Sequence, residues 1–203
     1  MKKRFLDFRL ISGFILAHLL LFFSFYDKSI FWFIFSGSVL ILIAYTMFQG
    51  DVDDKVSFVE YILIGAISGY LLYLLFWLGR QAIGYFHLPF DQSIKNLYRW
   101  YAPSLFWQYL ALILIASPGE ELFWRGFIQK RLLKYIGSVG SILVASLLYA
   151  SVHIYSGSFL LVFSAFFSGL VWGALYFWKK SMPLVIVSHI VFDIMIFIIM
   201  PLK

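Results

Sequence analysis

The chain has 203 residues, of which 63% are hydrophobic, 22% aromatic and only 13% charged, with a mean hydropathy of +0.90. This lies far outside soluble globular composition and identifies an integral membrane protein. The formal net charge of +6 sits in short clusters between apolar runs, where it serves topology and not a nucleic-acid surface, and the absence of cysteine excludes disulfides, thiol catalysis and thiolate metal sites. The apolar runs approach the ~20 residues that cross ~30 Å of hydrocarbon, so they read as helices and not as ~10-residue barrel strands. The expected fold is all-α, a polytopic bundle of about seven spans with one interfacial amphipathic helix. It forms a single integral-membrane domain over 1–203, with N-terminal spans and an outer loop in 1–104 and the core helices in 105–200.

Lys2, Lys3, Arg4 and Arg9 flank a first span from about Leu10 to Phe25 and predict a cytoplasmic N-terminus. That run has no clear small-residue cleavage site and a second follows at once, so it is read as a retained span. A tight turn at Asp27-Lys28 leads to span two, about Ile30 to Phe48. The loop after it, Gly50 to Lys55, is acidic although counting places it inside; acidic residues weigh little in the topology rule. Span three covers about Phe58 to Leu78, with Glu60 as a helix-terminus carboxylate. The stretch from Arg80 to Pro103 is too polar to span and reads as an outer loop holding the amphipathic helix. Span four, about Leu105 to Phe127, ends in Gln129-Lys130-Arg131 and Lys134 on the inside. Span five covers about Ile142 to Tyr155. Span six, about Phe159 to Phe177, carries Ser168, Gly169 and Gly173, which allow close helix packing. Lys179-Lys180 return the chain to the inside, and span seven runs from about Leu184 to Met200.

Span four holds the most informative stretch, Ser117-Pro118-Gly119-Glu120-Glu121-Leu122-Phe123-Trp124-Arg125-Gly126. The chain has only three glutamates, and two of them stand here side by side. An ionisable group in hydrocarbon costs roughly 2.5–3.5 kcal/mol on insertion scales, which marks a functional site by default. At 100° per residue Glu121 and Arg125 share a face and can pair, whereas Glu120 lies about 140° from Arg125 and is left to face something else. Pro118 removes a backbone hydrogen bond and Gly119 gives room for close approach. The competing reading is a structural ion pair that locks two helices.

His153 and His189 lie deep in spans five and seven. At ~1.5 Å per residue from the cytoplasmic ends, Glu120 lies ~15 Å down, His153 ~16 Å, His189 ~10 Å and Asp193 ~16 Å. Four polar side chains on three helices therefore share a layer, which each can satisfy only if the helices converge on a wet cavity. Taken singly, His153 can be a core histidine bonded within its helix near Tyr149, and His189 and Asp193, i and i+4, can be a private pair. His18 and His87 have no partner by spacing and are read as structural. With no G-x-S-x-G and no H-E-x-x-H, the chemistry left is water activation by a carboxylate beside a histidine, with a second polar pair for the oxyanion. A metal on the same Glu and His ligands is the chemical rival.

Glu120-Glu121-x-x-x-Arg125 before Gly126, then Tyr149-x-x-x-His153, then His189-x-x-x-Asp193, in this order on core helices, resembles the CAAX protease and bacteriocin-processing family, the Abi intramembrane proteases, over about Leu105 to Met200. The resemblance implies a glutamic-type intramembrane endopeptidase working without a catalytic metal, with zinc as the alternative. It implies that Glu120 and His153 activate the attacking water, that His189 and Asp193 form the oxyanion site, and that Glu121 and Arg125 orient it, with Tyr149 where Phe is commoner. Asp193 replaces the more usual Asn; an ionised Asp cannot donate to an oxyanion, so it must either stay protonated or orient His189. The expected setting is a bacterial plasma membrane, with peptide precursors or membrane-protein tails as substrates in a cavity open to the cytoplasmic side. The bilayer is the other expected partner, nucleic acid is not, and oligomeric state is left open. A proton-coupled transporter or a catalytically silent, immunity-type scaffold on the same polar layer is the alternative from another class.

Overall fold

The computed structural model describes residues 7–48 and 53–203, and every regular element among them is helical. In chain order these are α1 (Phe8–Tyr26), α2 (Phe31–Met47), α3 (Phe58–Tyr85), α4 (Asp91–Tyr101), a helical run from Phe106 to Ser156, α8 (Phe159–Lys179) and α9 (Met182–Ile194), the last prolonged by a π-helical turn at Met195–Ile199. The run comprises α5 (Phe106–Ala111), a π segment at Leu112–Ala116, α6 (Ser117–Glu121), a second π segment at Leu122–Gln129, α7 (Lys130–Val152) and a 3-10 turn at His153–Ser156. Five helical stretches are long and apolar enough to cross a membrane, and α2 is a shorter apolar helix beside them. The longest, 51 residues, is broken at Gly137, whose φ of 71° and ψ of −175° suit glycine and not an L side chain. That break divides it into two rods, so the seven expected spans map onto seven rods. The expected polar connection between Phe127 and Ile142 is itself helical on both sides of this one residue. The chain is a multi-pass membrane protein.

Close approach of helices follows from glycine. In α3, Gly65 and Gly69 lie against α9, where a Cβ on Gly65 would come within 2.8 Å of the Leu184 carbonyl and one on Gly69 would run into that of Ser188. Gly119 in α6 packs on Val39 and Ile43 of α2, and Gly169 in α8 meets Ser146 of α7. The small residues expected to matter in span six do so, and Gly65-x-x-x-Gly69 is a further instance.

The two ends of the bundle differ. At one end, Asp53 takes a hydrogen bond from Tyr176 (2.6 Å) and pairs with Lys130 (3.0 Å), while Glu60, in the first turn of α3 as expected, pairs with Lys179 (2.7 Å). The acidic loop thus neutralises the basic cluster it faces; Gly50, Asp51 and Val52 lie outside the described residues. At the other end lies α4, amphipathic as expected, with Lys95 and Arg99 exposed and Tyr101 buried. Tyr98 donates to the carbonyl of Ile196 (2.8 Å), Tyr101 to that of Ser156 (3.1 Å), and Arg80 pairs with Asp91 (2.9 Å). Burial pushes the Tyr98 phenol up to about 12, so it keeps the proton it donates.

Two predictions follow from these contacts. Gly69→Ala forces α3 away from α9 and should lower stability by about 1–3 kcal/mol, read as thermal unfolding in detergent. Burial alone raises the Asp53 carboxyl, but Tyr176 and Lys130 outweigh it and hold the group below its ordinary 3.8. Its folded value is therefore the lower one, so its stabilisation is complete above about pH 4 and is lost as pH falls through the folded value. Asp53→Asn should be less stable than the parent at neutral pH and lose less on acidification below pH ~4.

Candidate functional site

The π segments on either side of α6 add an extra residue to the turn and set the direction of the two carboxylates. Ser117 Oγ lies 2.8 Å from the carbonyl of Leu112, five residues back, as a π turn permits. From α6, Glu121 enters the centre of the bundle with a fully buried side chain. Its Oε1 accepts from Arg125 (3.0 Å) and lies 2.8 Å from His189 Nδ1. A carboxylate only accepts, so Nδ1 carries the proton and His189 Nε2 is turned elsewhere. Arg125, 2% exposed, lies over the rings of Tyr149 (4.9 Å) and Trp172 (5.4 Å). Trp172 also stacks on His189, with ring centroids 3.8 Å apart, and its indole donates to Ser188 Oγ (3.2 Å).

Glu120 faces the other way, as its angular separation from Arg125 requires. Its Oε2 accepts from the Tyr149 hydroxyl at 2.6 Å. His189 Nε2 lies 4.0 Å from that oxygen and 3.6 Å from Asp193 Oδ2, beyond hydrogen-bond reach of both. Asp193 Oδ2 is instead 2.8 Å from Ser117 Oγ. His153, where α7 gives way to the 3-10 turn, has Nδ1 2.9 Å from the Tyr149 carbonyl. A carbonyl only accepts, so Nδ1–H donates and neutral His153 keeps its lone pair on Nε2.

The within-helix bond expected of a core histidine is therefore present, and His153 nonetheless reaches the shared space. Glu120, Tyr149, His153, His189 and Asp193 all line one cavity of about 220 Å³. Glu121 and Arg125 lie behind it as a buried pair. All seven residues singled out from the sequence thus come together, five on the cavity wall and two supporting it. Trp172, not singled out, also lines the cavity, as does Ser168, noted only for helix packing; both stand in α8, whose only sequence signal was its small residues. The bond of Ser117 to Asp193 depends on the π turn and is not visible in spacing. His18, read as structural, ties α1 to Tyr155 (2.8 Å) and Ser151 (3.1 Å) away from the site. Among the described residues, no three His, Asp or Glu side chains are arranged to hold a metal ion.

Among the described residues, Trp124, Phe127, Gln129, Tyr176 and Met182 are buried toward the end marked by the basic clusters. The lining runs the opposite way, through Phe31, Trp32 and Phe35 to Leu97, Tyr98 and Tyr101 of α4.

Arg125→Leu leaves the Glu121 charge buried beside His189 alone and should cost about 3–5 kcal/mol, measured by thermal unfolding in detergent. Glu120→Gln, which keeps an acceptor for Tyr149, should unfold close to the parent.

No curated protein and no solved structure matches the chain. Residues 102–195 match a family model described as type II CAAX prenyl endopeptidase Rce1-like. That interval contains α6, α7 and α9 up to Asp193, and therefore every one of the seven residues above. Residues 102–195 of this membrane protein are thus similar to the Rce1-like family of CAAX endopeptidases.

Proposed function

We propose that the protein is an intramembrane endopeptidase that hydrolyses a peptide bond with water activated by Glu120 and His153. The observation that carries this reading is the single cavity lined by Glu120, His153, His189 and Asp193. A liquid water occupies ~30 Å³, so about 220 Å³ admits a water beside a narrow, extended peptide.

Tyr149 organises the reacting pair. Its hydroxyl holds one oxygen of Glu120, leaving the other for water, and its carbonyl fixes the His153 tautomer with the Nε2 lone pair free. Glu120 takes a proton from the water while His153 accepts the other hydrogen in a hydrogen bond. The hydroxide formed adds to the scissile carbonyl carbon. The carbon–nitrogen bond then breaks as Glu120 returns its proton to the departing amine.

His189 supplies the donor for the oxyanion. With Nδ1–H held by Glu121 and no hydrogen bond at Nε2, a doubly protonated His189 presents an N–H to the cavity. Asp193 is a positioning group. Ser117 Oγ lies 2.8 Å from both the Leu112 carbonyl and Asp193, and its one proton serves one of them. A protonated Asp193 donating to Ser117, with Ser117 donating to Leu112, satisfies all three.

The apolar wall of Phe25, Phe31, Phe35 and Leu97 favours apolar residues flanking the cleaved bond, as in peptide precursors or membrane-protein segments. The basic residues Lys130, Lys179 and Lys180 support a cytoplasmic position for the opposite end, with the N-terminus inside. The cavity then faces the outer leaflet of a bacterial plasma membrane.

Glu120→Gln and His153→Ala should each reduce cleavage at least ~100-fold while the protein still inserts, scored as uncleaved peptides accumulating in membranes. Normal cleavage by either variant removes the water-activating pair. Cleavage should persist in chelator; loss restored by zinc would make this a metallopeptidase. Solute flux by the parent without proteolysis would make it a transporter.

A further inference from the structure

We infer a second site, at the α4 end of the bundle, that binds the phosphate of an anionic phospholipid. A polar bowl of about 590 Å³ lies between the α1–α2 turn, α4 and the segment leading to α5, and Lys28, Lys95 and Arg99 line it. No Asp or Glu side chain shares this lining, and Lys203 adds a fourth basic residue to it. The nearest acids in sequence are engaged elsewhere: Asp27 accepts from Ser29 (2.9 and 2.7 Å), and Asp91 pairs with Arg80. Lys28 is held across the bowl by Trp100, with Nζ 3.5 Å from the ring centroid. Four basic side chains, Lys203 with these three, thus face one space with no Asp or Glu side chain in its lining.

A second observation is independent of charge. Trp32 is only 7% exposed and lines both the bowl and the cavity, yet its indole N–H is buried without a hydrogen-bond partner in the protein. A buried donor left unpaired in the wall of a cationic bowl is matched by an acceptor-only ligand, and a phosphodiester is one.

Position selects a lipid over a free anion. The bowl sits at the interfacial helix, with Trp32, Trp100 and Trp107 at the same end, where a membrane protein places its aromatic belt. Beside it, Phe33 and Phe106 are largely exposed and offer an apolar flank for acyl chains. Lys95 and Arg99 take the headgroup on the outer side of α4, while Leu97, Tyr98 and Tyr101 of the same helix line the cavity. A bound lipid therefore braces the helix that caps the site.

The test is lipid retention by the full chain purified in detergent, measured by native mass spectrometry after incubation with phosphatidylglycerol or phosphatidylcholine. Phosphatidylglycerol should be kept in preference. The triple variant Lys28→Gln, Lys95→Gln, Arg99→Gln should weaken retention at least ~10-fold, and Trp32→Phe should weaken it while preserving the ring. Excess inorganic phosphate should not displace the lipid. Equal retention of both lipids, an unaffected triple variant, or displacement by inorganic phosphate as readily as by lipid would overturn the proposal. The variants leave Glu120 and His153 untouched, so the result is independent of the hydrolytic reading.

Discussion

Glu121 is the group on which the arrangement depends. A carboxylate with no exposed surface inside an apolar bundle is tolerable only when it is paired, and one oxygen of Glu121 takes both the Arg125 guanidinium and the His189 imidazole. Each of those is then held by aromatic rings: Arg125 over Tyr149 and Trp172, His189 stacked on Trp172. The result is that α6, α7, α8 and α9 are tied to one ion pair. The other oxygen of Glu121 has no protein partner, a cost of about 1–3 kcal/mol that burial would otherwise select against. A bundle built for stability alone would place leucine here.

That anchor frees Glu120. Because Glu121 absorbs the charge of Arg125, the neighbouring carboxylate turns to the cavity with a tyrosine hydroxyl as its one direct bond. Tyr149 then serves two groups at once, holding Glu120 through its hydroxyl and His153 through its carbonyl. The hydroxyl that distinguishes this position from phenylalanine is therefore the group that holds Glu120. The glycines complete the arrangement from the outside, since α2 packs closely on α6 at Gly119 and α3 on α9 at Gly65 and Gly69.

Much of this was readable before any coordinates. Two adjacent glutamates in an apolar run, an arginine four residues on, and histidines at matched depth in later spans are improbable unless they meet. The Glu121–Arg125 pair and the outward turn of Glu120 follow from helical angle alone. What spacing could not convey was anything that breaks the α-helical period. The π turns create the contact between Ser117 and Asp193, and the left-handed Gly137 replaces a loop by a helical break. The direction of the cavity was also hidden, because depth along a span says nothing about which end the large side chains fill. Trp172 was missed for a related reason: an aromatic in an apolar helix carries no mark until its partner is known.

The asymmetry of the two ends explains why the polar layer sits where it does. Toward Lys130 and Lys179 large side chains are buried and Asp53 and Glu60 form ion pairs with the two lysines. Toward α4 the interior opens past phenylalanines and tyrosines, with an amphipathic helix as its cover. Glu120 and His153 stand at the boundary between the two, where a carboxylate has low-dielectric surroundings and still meets a cavity. Deeper placement would leave the carboxylate without access to the cavity; shallower placement would return it to bulk solvent.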